Sequence, residues 1–245
     1  MSRDIPRIVE EQIQRWQSES RDGGSRLRTE AGRSCVVAIS NNFGSGGAAI
    51  AARVGVLLSV PVYDRDIVRH IAASAQVSVR TVETLDERAR GRIDDYLAAI
   101  LQEANFDRAD YLRHLTRTIL ALGEHGPCVL VGHGAVDIVD RKRALVVRLV
   151  APEADRVVSV AARLRITLEQ AREKVQQIDE ERETFHRRLF GRAVDDPLNY
   201  DLVLNTSDFG VEESAAIVAE AYRRKLEHAA ARCDADLRSP GTPAS

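Results

Sequence analysis

The stretch "VVAISNNFGSGGAAIAARV" carries the most chemistry per residue in the chain. An apolar run leads into Gly44, Ser45, Gly46 and Gly47, followed by Ala48 and a small-residue apolar segment. Small residues between a strand and a helix expose successive backbone N–H groups, and the helix end adds partial positive charge. That combination holds anions, phosphate oxygens above all. A phosphate-binding loop of the G-x-x-x-x-G-K-[ST] type would also place a lysine on the outer phosphates and a hydroxyl on magnesium. Aligned on the glycines, those positions are Gly47 and Ala48. The loop therefore offers backbone donors without the customary charge.

Other candidate polar groups lie at the ends of further apolar runs. Asp64 and Asp66 follow "VPVY", where the carboxyl end of a parallel strand meets a ligand crevice. There they can orient a ligand's ribose or the water ligands of magnesium, and Asp64 can equally cap the next helix. His133 stands between two glycines after "CVLV", an arrangement that allows close ligand approach. Asp137, four residues on, is a candidate carboxylate on the magnesium side.

Five apolar runs must position these groups: "CVVAIS", "VPVYD", "PCVLVG", "ALVVRLVA" and "YDLVLNTS". They are continuous rather than alternating, as strands covered on both faces of a parallel sheet are. Helical segments separate them, which gives an α/β succession. The expected body, residues 34–231, is one α/β domain with a parallel five-stranded sheet, helices on both faces and a helical insertion over 78–126. Within the insertion, "DDYLAAILQEA" and "DYLRHLTRTILALGEHG" have helical periodicity. Thr167 and Gln170 have capping-box spacing, and Gly191 is a natural stop for the helix they begin.

Ahead of the body, residues 1–33 read as an amphipathic helix and a polar linker, with Ile5, Ile8, Val9, Ile13 and Trp16 on one stripe. Such a stripe packs on the body or on a second copy of the chain as a homodimer. Residues 232–245, including "DADLRSPGTPAS", read as a disordered tail.

Composition narrows the function classes. The net charge is -2 over 245 residues, which gives no general attraction for nucleic acid. Aromatics at 4% leave too few rings for base-stacking platforms. Cys35, Cys128 and Cys233 are too scattered for a disulfide framework or a zinc cluster, and Cys35 and Cys128 read as small buried residues. No apolar run approaches membrane-spanning length, and the expected setting is the cytoplasm.

The run "ISNNFGSGGAAIAARVGVLLSVPVYDRDIV" resembles the start of the cytidylate kinase-like family, a branch of the P-loop nucleoside monophosphate kinases. "VLVGHGAVDIV", "LVVRLVAPEADRV" and "IDEERETFHRRLFGRAVDDPLNYDLVLNTS" agree with it in order and spacing, and "VEEQIQRWQ" is similar to its N-terminal extension. The resemblance implies transfer of the ATP γ-phosphoryl, with Mg2+, to a nucleoside monophosphate or another small acceptor. ATP phosphates would lie on Gly44–Ala48. The acceptor would lie by Asp64, Asp66 and the "GHGA" turn with His133. It also implies a lid over 178–199 whose Arg182, Arg187, Arg188 and Arg192 close on the phosphates, and it brings Asn205 and Thr206 to the adenine side. The family commonly has arginines at the positions of Asn41 and Ala48 and in place of His133. A nucleotide-binding regulatory protein of the same fold, without catalysis, is the alternative.

Overall fold

The computed structural model describes residues 4–21, 36–73, 75–83, 85, 89–91, 93–94 and 109–238. Cys35 and most of "DDYLAAILQEA" lie outside them, as does the linker before β1. Five strands form one all-parallel sheet: β1 (Val36–Asn41), β2 (Val62–Tyr63), β3 (Val129–Val131), β4 (Ala144–Val150) and β5 (Leu202–Asn205). Their order is β2-β3-β1-β4-β5, so β1 lies between β3 and β4 and the chain reverses its winding there. In open parallel sheets that reversal opens a crevice beyond the carboxyl ends of the strands.

Alternate residues of each strand point to opposite faces. Val36, Ala38, Leu130 and Val146 join one core with α1 (Ile5–Arg21), α3 (Arg65–Ala73) and α5 (Ala109–Glu124). Val37, Ile39, Val129 and Val147 join a second core with α2 (Gly47–Leu58) and α9 (Val211–Arg238). Burial on both faces is the reason β1, β3 and β4 are largely apolar, whereas the outer strand β5 leaves Val203 exposed.

Helix α1 lays Val9, Ile13 and Trp16 into the first core, and Glu10 makes a forked pair with Arg80 of α4 (Ala75–Glu83). Trp16 stacks on His125 with ring centroids 3.8 Å apart. Of the two uses expected for the stripe, packing on the body is the one the structure displays. Helix α9 continues to Arg238, so residues 232–238, expected as tail, are helical. The sequence there is mostly helix formers up to the Ser239-Pro240 dipeptide, and a residue before proline disfavours the helical region.

Two helices stand over the sheet's carboxyl edge: α7 (Glu153–Leu164) and α8 (Leu168–Phe190). Thr167 and Gln170 form the expected capping box, and Gly191 ends α8 at φ 64°. Val157 and Val160 of α7 pack on Ala171 and Val175 of α8, with Phe43 of the glycine loop at the edge of that cluster. The segment expected as a lid, residues 178–199, thus begins in a helix packed beside the loop.

Candidate functional site

The loop turns on left-handed residues Gly44 (φ 93°) and Gly46 (φ 77°), both accessible to glycine without strain. Asn42 fixes its entrance: the amide donates to Leu149 O at 3.0 Å, while the carbonyl accepts from Ser45 N, Ser45 Oγ and Asn41 Nδ2. Ser45 is therefore a brace, its amide turned into the loop. Gly46 caps α2 with no side-chain hydrogen bond, and the amides of Gly46, Gly47 and Ala48 have no protein acceptor among the described residues. Those are the open donors of an anion nest. Thr206 Oγ1 lies 2.9 Å from Ser45 O and 3.2 Å from Val150 O, one hydroxyl proton shared between two carbonyls, and ties the end of β5 to the loop.

The lid side of the loop is held by charge. Asp179 accepts from Phe43 N at 2.9 Å and pairs with Arg156, which also donates to Phe43 O (3.1 Å) and Ala151 O (2.9 Å). A turn later, Arg182 donates to Asn41 O at 2.5 Å, its guanidinium 5.9 Å from the centre of the Phe43 ring. Asp179, Arg182 and His186 share the inward face of α8, because residues three and four apart on a helix are neighbours. The same face carries Ala171 and Val175 into the packed interior.

Between the loop, the β3 end and α8 lies a cavity of about 360 Å³ whose walls include Asn41, His133, Arg148, Arg182, Phe185 and His186. Arg148 is the residue that sequence reasoning passed over. It sits on β4 in register with Ser40, 4% exposed, donating to Ser40 Oγ at 2.9 Å and to Asp195 at 2.7 Å. Its Nε is buried without a partner. A lone charge inside the apolar run "ALVVRLVA" was the signal, since a buried charge requires partners. Burial pushes the nearby Tyr200 phenol up, and its hydroxyl donates to Val194 O at 2.7 Å.

The other expected site residues divide. His133 reaches the cavity in a left-handed conformation (φ 52°), between Gly132 and Gly134 at positive φ as well. Asp64 caps α3, accepting from Ile67 N at 3.2 Å, and Asp66 is exposed in that helix's first turn. Arg187 is exposed and pairs with Glu183 one turn away, while Arg188 and Arg192 are exposed. Of the four lid arginines, Arg182 alone lines the cavity. Asp137 is committed to His186 at 2.7 Å. Asn205 ends β5 and accepts from Ser207 N at 3.1 Å, next to the loop brace Thr206.

No group of three or more metal-ligating side chains gathers among the described residues. Ala48 stands where a magnesium-binding hydroxyl would, so the side chains present do not build a magnesium cage.

An uncharacterised protein from Eubacterium ventriosum superposes with a TM-score of 0.63 at 18% identity, over 78% of this chain and 99% of that one. A protein designated TT1252 from Thermus thermophilus gives 0.45 at 18% identity, over 79% and 98% of the two chains. Shikimate kinase from Bacteroides thetaiotaomicron gives 0.40 at 13%, over 79% and 98%. No curated protein matches the sequence. Residues 36–208, from the start of β1 past the end of β5, match the model of the cytidylate kinase-like family, and the chain belongs to that family.

Proposed function

We propose that the protein transfers the γ-phosphoryl group of ATP to a small acceptor seated in the cavity beside the glycine loop. The observation that carries this reading is the convergence of two guanidinium groups, Arg182 and Arg148, on the end of β1, where the loop itself has no cation. Phosphoryl transfer is mostly positioning and stabilisation of charge on the transferred group. The amides of Gly46–Ala48 take phosphate oxygens, and the two arginines supply the charge that Gly47 and Ala48 lack. Magnesium would arrive with the nucleotide, held by phosphates and water, as that ion usually is. For a member of a cytidylate kinase-like family, CMP is the first acceptor to try.

A second reading is a nucleotide-binding regulatory protein. The exposed positions of Arg187, Arg188 and Arg192 favour it, because they leave the lid one cation at the cavity. Calorimetry with ATP–Mg at low salt and a coupled ADP-release assay with CMP, cytidine and glycerol separate the two. Turnover lost in both Arg148→Met and Arg182→Ala supports the enzyme. Binding without turnover supports the regulator, and no binding refutes both.

A further inference from the structure

The cavity contains a second, independent arrangement. His186 Nδ1 donates to Asp137 Oδ2 at 2.7 Å, although the two lie 49 residues apart in the chain. Their side chains are 9% and 5% exposed. Asp137 comes from α6 (Ala135–Ile138), immediately after the Gly132–Gly134 turn, and His186 comes from the inward face of α8. The imidazole is fixed from the sides as well: the Phe185 and Phe190 rings lie 5.8 and 6.0 Å from it, centre to centre. Phe190 occupies the space that a Cβ on Gly134 would need, at 2.4 Å. With Nδ1 committed to the carboxylate, Nε2 is the nitrogen left for a ligand, and it has no protein partner among the described residues. His186 forms part of the cavity wall with Arg148 and Arg182.

An imidazole whose Nδ1–H is held by a carboxylate presents a basic lone pair at Nε2, and the carboxylate stabilises the imidazolium formed on proton uptake. A monophosphate acceptor has no use for such a group, since its oxygen is already ionised at neutral pH and needs cations. An alcohol does need it, because its O–H proton must leave as the new O–P bond forms.

We propose that the acceptor atom is an alcohol oxygen, and that His186, oriented by Asp137, is its general base. This rests on the phosphoryl-transfer reading above and narrows it. In the step, the alcohol oxygen bonds to the γ-phosphorus of ATP while the bond from that phosphorus to the β,γ-bridging oxygen breaks. ADP leaves with the bond pair, the alcohol proton passes to His186 Nε2, and the imidazolium later returns it to solvent. Asp137 is a positioning residue.

The test uses the full chain, γ-labelled ATP–Mg, and four acceptors: glycerol and cytidine as alcohol probes, CMP as a phosphate probe, and water, which also needs a base. The expected result is label on an alcohol or on water. His186→Gln should lower that rate by about 100-fold or more, the usual range for losing a general base, with ATP affinity unchanged in calorimetry. His186→Gly should recover part of the rate in millimolar imidazole, which a purely structural histidine would not show. Asp137→Asn should reduce the rate with the fold intact by circular dichroism. Transfer to CMP at an undiminished rate in His186→Gln overturns the proposal. So does bound ATP that wild type passes to none of the four. Failure of ATP to bind removes the underlying phosphoryl-transfer reading instead, and this inference falls with it.

Discussion

Asn41 and Gly47 exclude each other's side chains: a Cβ placed on Gly47 would lie 2.5 Å from Asn41 Cγ and 2.8 Å from Asn41 Cβ. Gly47 is the position at which a loop lysine would stand, so the asparagine at the end of β1 and the missing lysine are one feature. Grafting the lysine alone should therefore fail. Gly47→Lys must push Asn41 aside, an overpacking that costs about 1–3 kcal/mol, and ATP affinity should not improve. Asn41→Gly with Gly47→Lys removes the clash, and Ala48→Arg begins from an exposed position that needs no rearrangement. Each of these should tighten ATP by about one to two decades, the worth of one charge-assisted contact of roughly 1.5–3 kcal/mol. Calorimetry and thermal melts of the three variants check it, and a tight-binding Gly47→Lys single variant would contradict the steric account.

The loop was legible because its signal is local: small residues between an apolar strand and an apolar helix. The sheet was legible for a similar reason, its inner strands being largely apolar on both faces. Arg148 and the Asp137–His186 pair were not, because their meaning depends on register and on contacts across the fold. Arg148 faces Ser40 through β-pairing, and His186 meets Asp137 through the docking of α8. The lid arginines were legible as a group and not one by one. A helix turns about 100° per residue, so Arg182 can face the cavity while Arg187 and Arg188 face solvent. The buried stripe Ala171–Val175 upstream fixes which face turns inward.

Asp201 joins three elements. It accepts from Val146 N (2.8 Å), Lys225 Nζ (2.6 Å) and Arg141 Nη2 (3.4 Å), bringing together β4, α9 and the turn before β4. Burial pushes its pKa up, but the bond to Lys225, the Val146 amide and the two cationic charges outweigh burial and leave it below the usual aspartate range. A carboxyl depressed in the folded state contributes stability that is present above its unfolded pKa of about 3.9. That stability is lost as pH falls through the depressed folded value. Asp201→Asn should lower the Tm at pH 7 by about 2–8 °C, since one or two kcal/mol moves a domain of this size by that much. The gap between variant and wild type should close below about pH 4, where the unfolded carboxyl takes up its proton. A gap constant from pH 7 to pH 3 would assign the effect to the amide substitution itself.

Cys128 is buried at the start of β3, with Sγ 3.8 Å from Leu122 O, and burial pushes its thiol up to about 12. The thiolate is the reactive form, so this cysteine should be inert while the protein is folded. In a Cys35→Ser/Cys233→Ser background, a thiol reagent at pH 8 should label nothing under native conditions. It should label one equivalent in denaturant. Rapid native labelling would mean that the start of β3 opens locally far more easily than its packing implies.

Arg182 and Arg187 lie five positions apart on one helix and should respond unequally to removal. Arg182 donates to Asn41 O at the mouth of the loop, 2.5 Å away, and lines the cavity. Arg187 is 68% exposed and pairs with Glu183 in the same helix. An exposed pair of that spacing is worth about 0.3–0.5 kcal/mol, so Arg187→Ala should leave ATP affinity within about twofold. Arg182→Ala removes a charge-assisted contact worth roughly 1.5–3 kcal/mol, which is 10-fold or more in affinity. Arg182→Lys should recover only part of it, because a lysine cannot reproduce the planar fork that reaches both a carbonyl and a phosphate. Arg188→Ala and Arg192→Ala should resemble Arg187→Ala. If instead the three exposed arginines cost as much as Arg182, the lid must turn its outer face inward on binding nucleotide. Slowed hydrogen exchange across residues 187–192 on adding ATP would then show that movement directly.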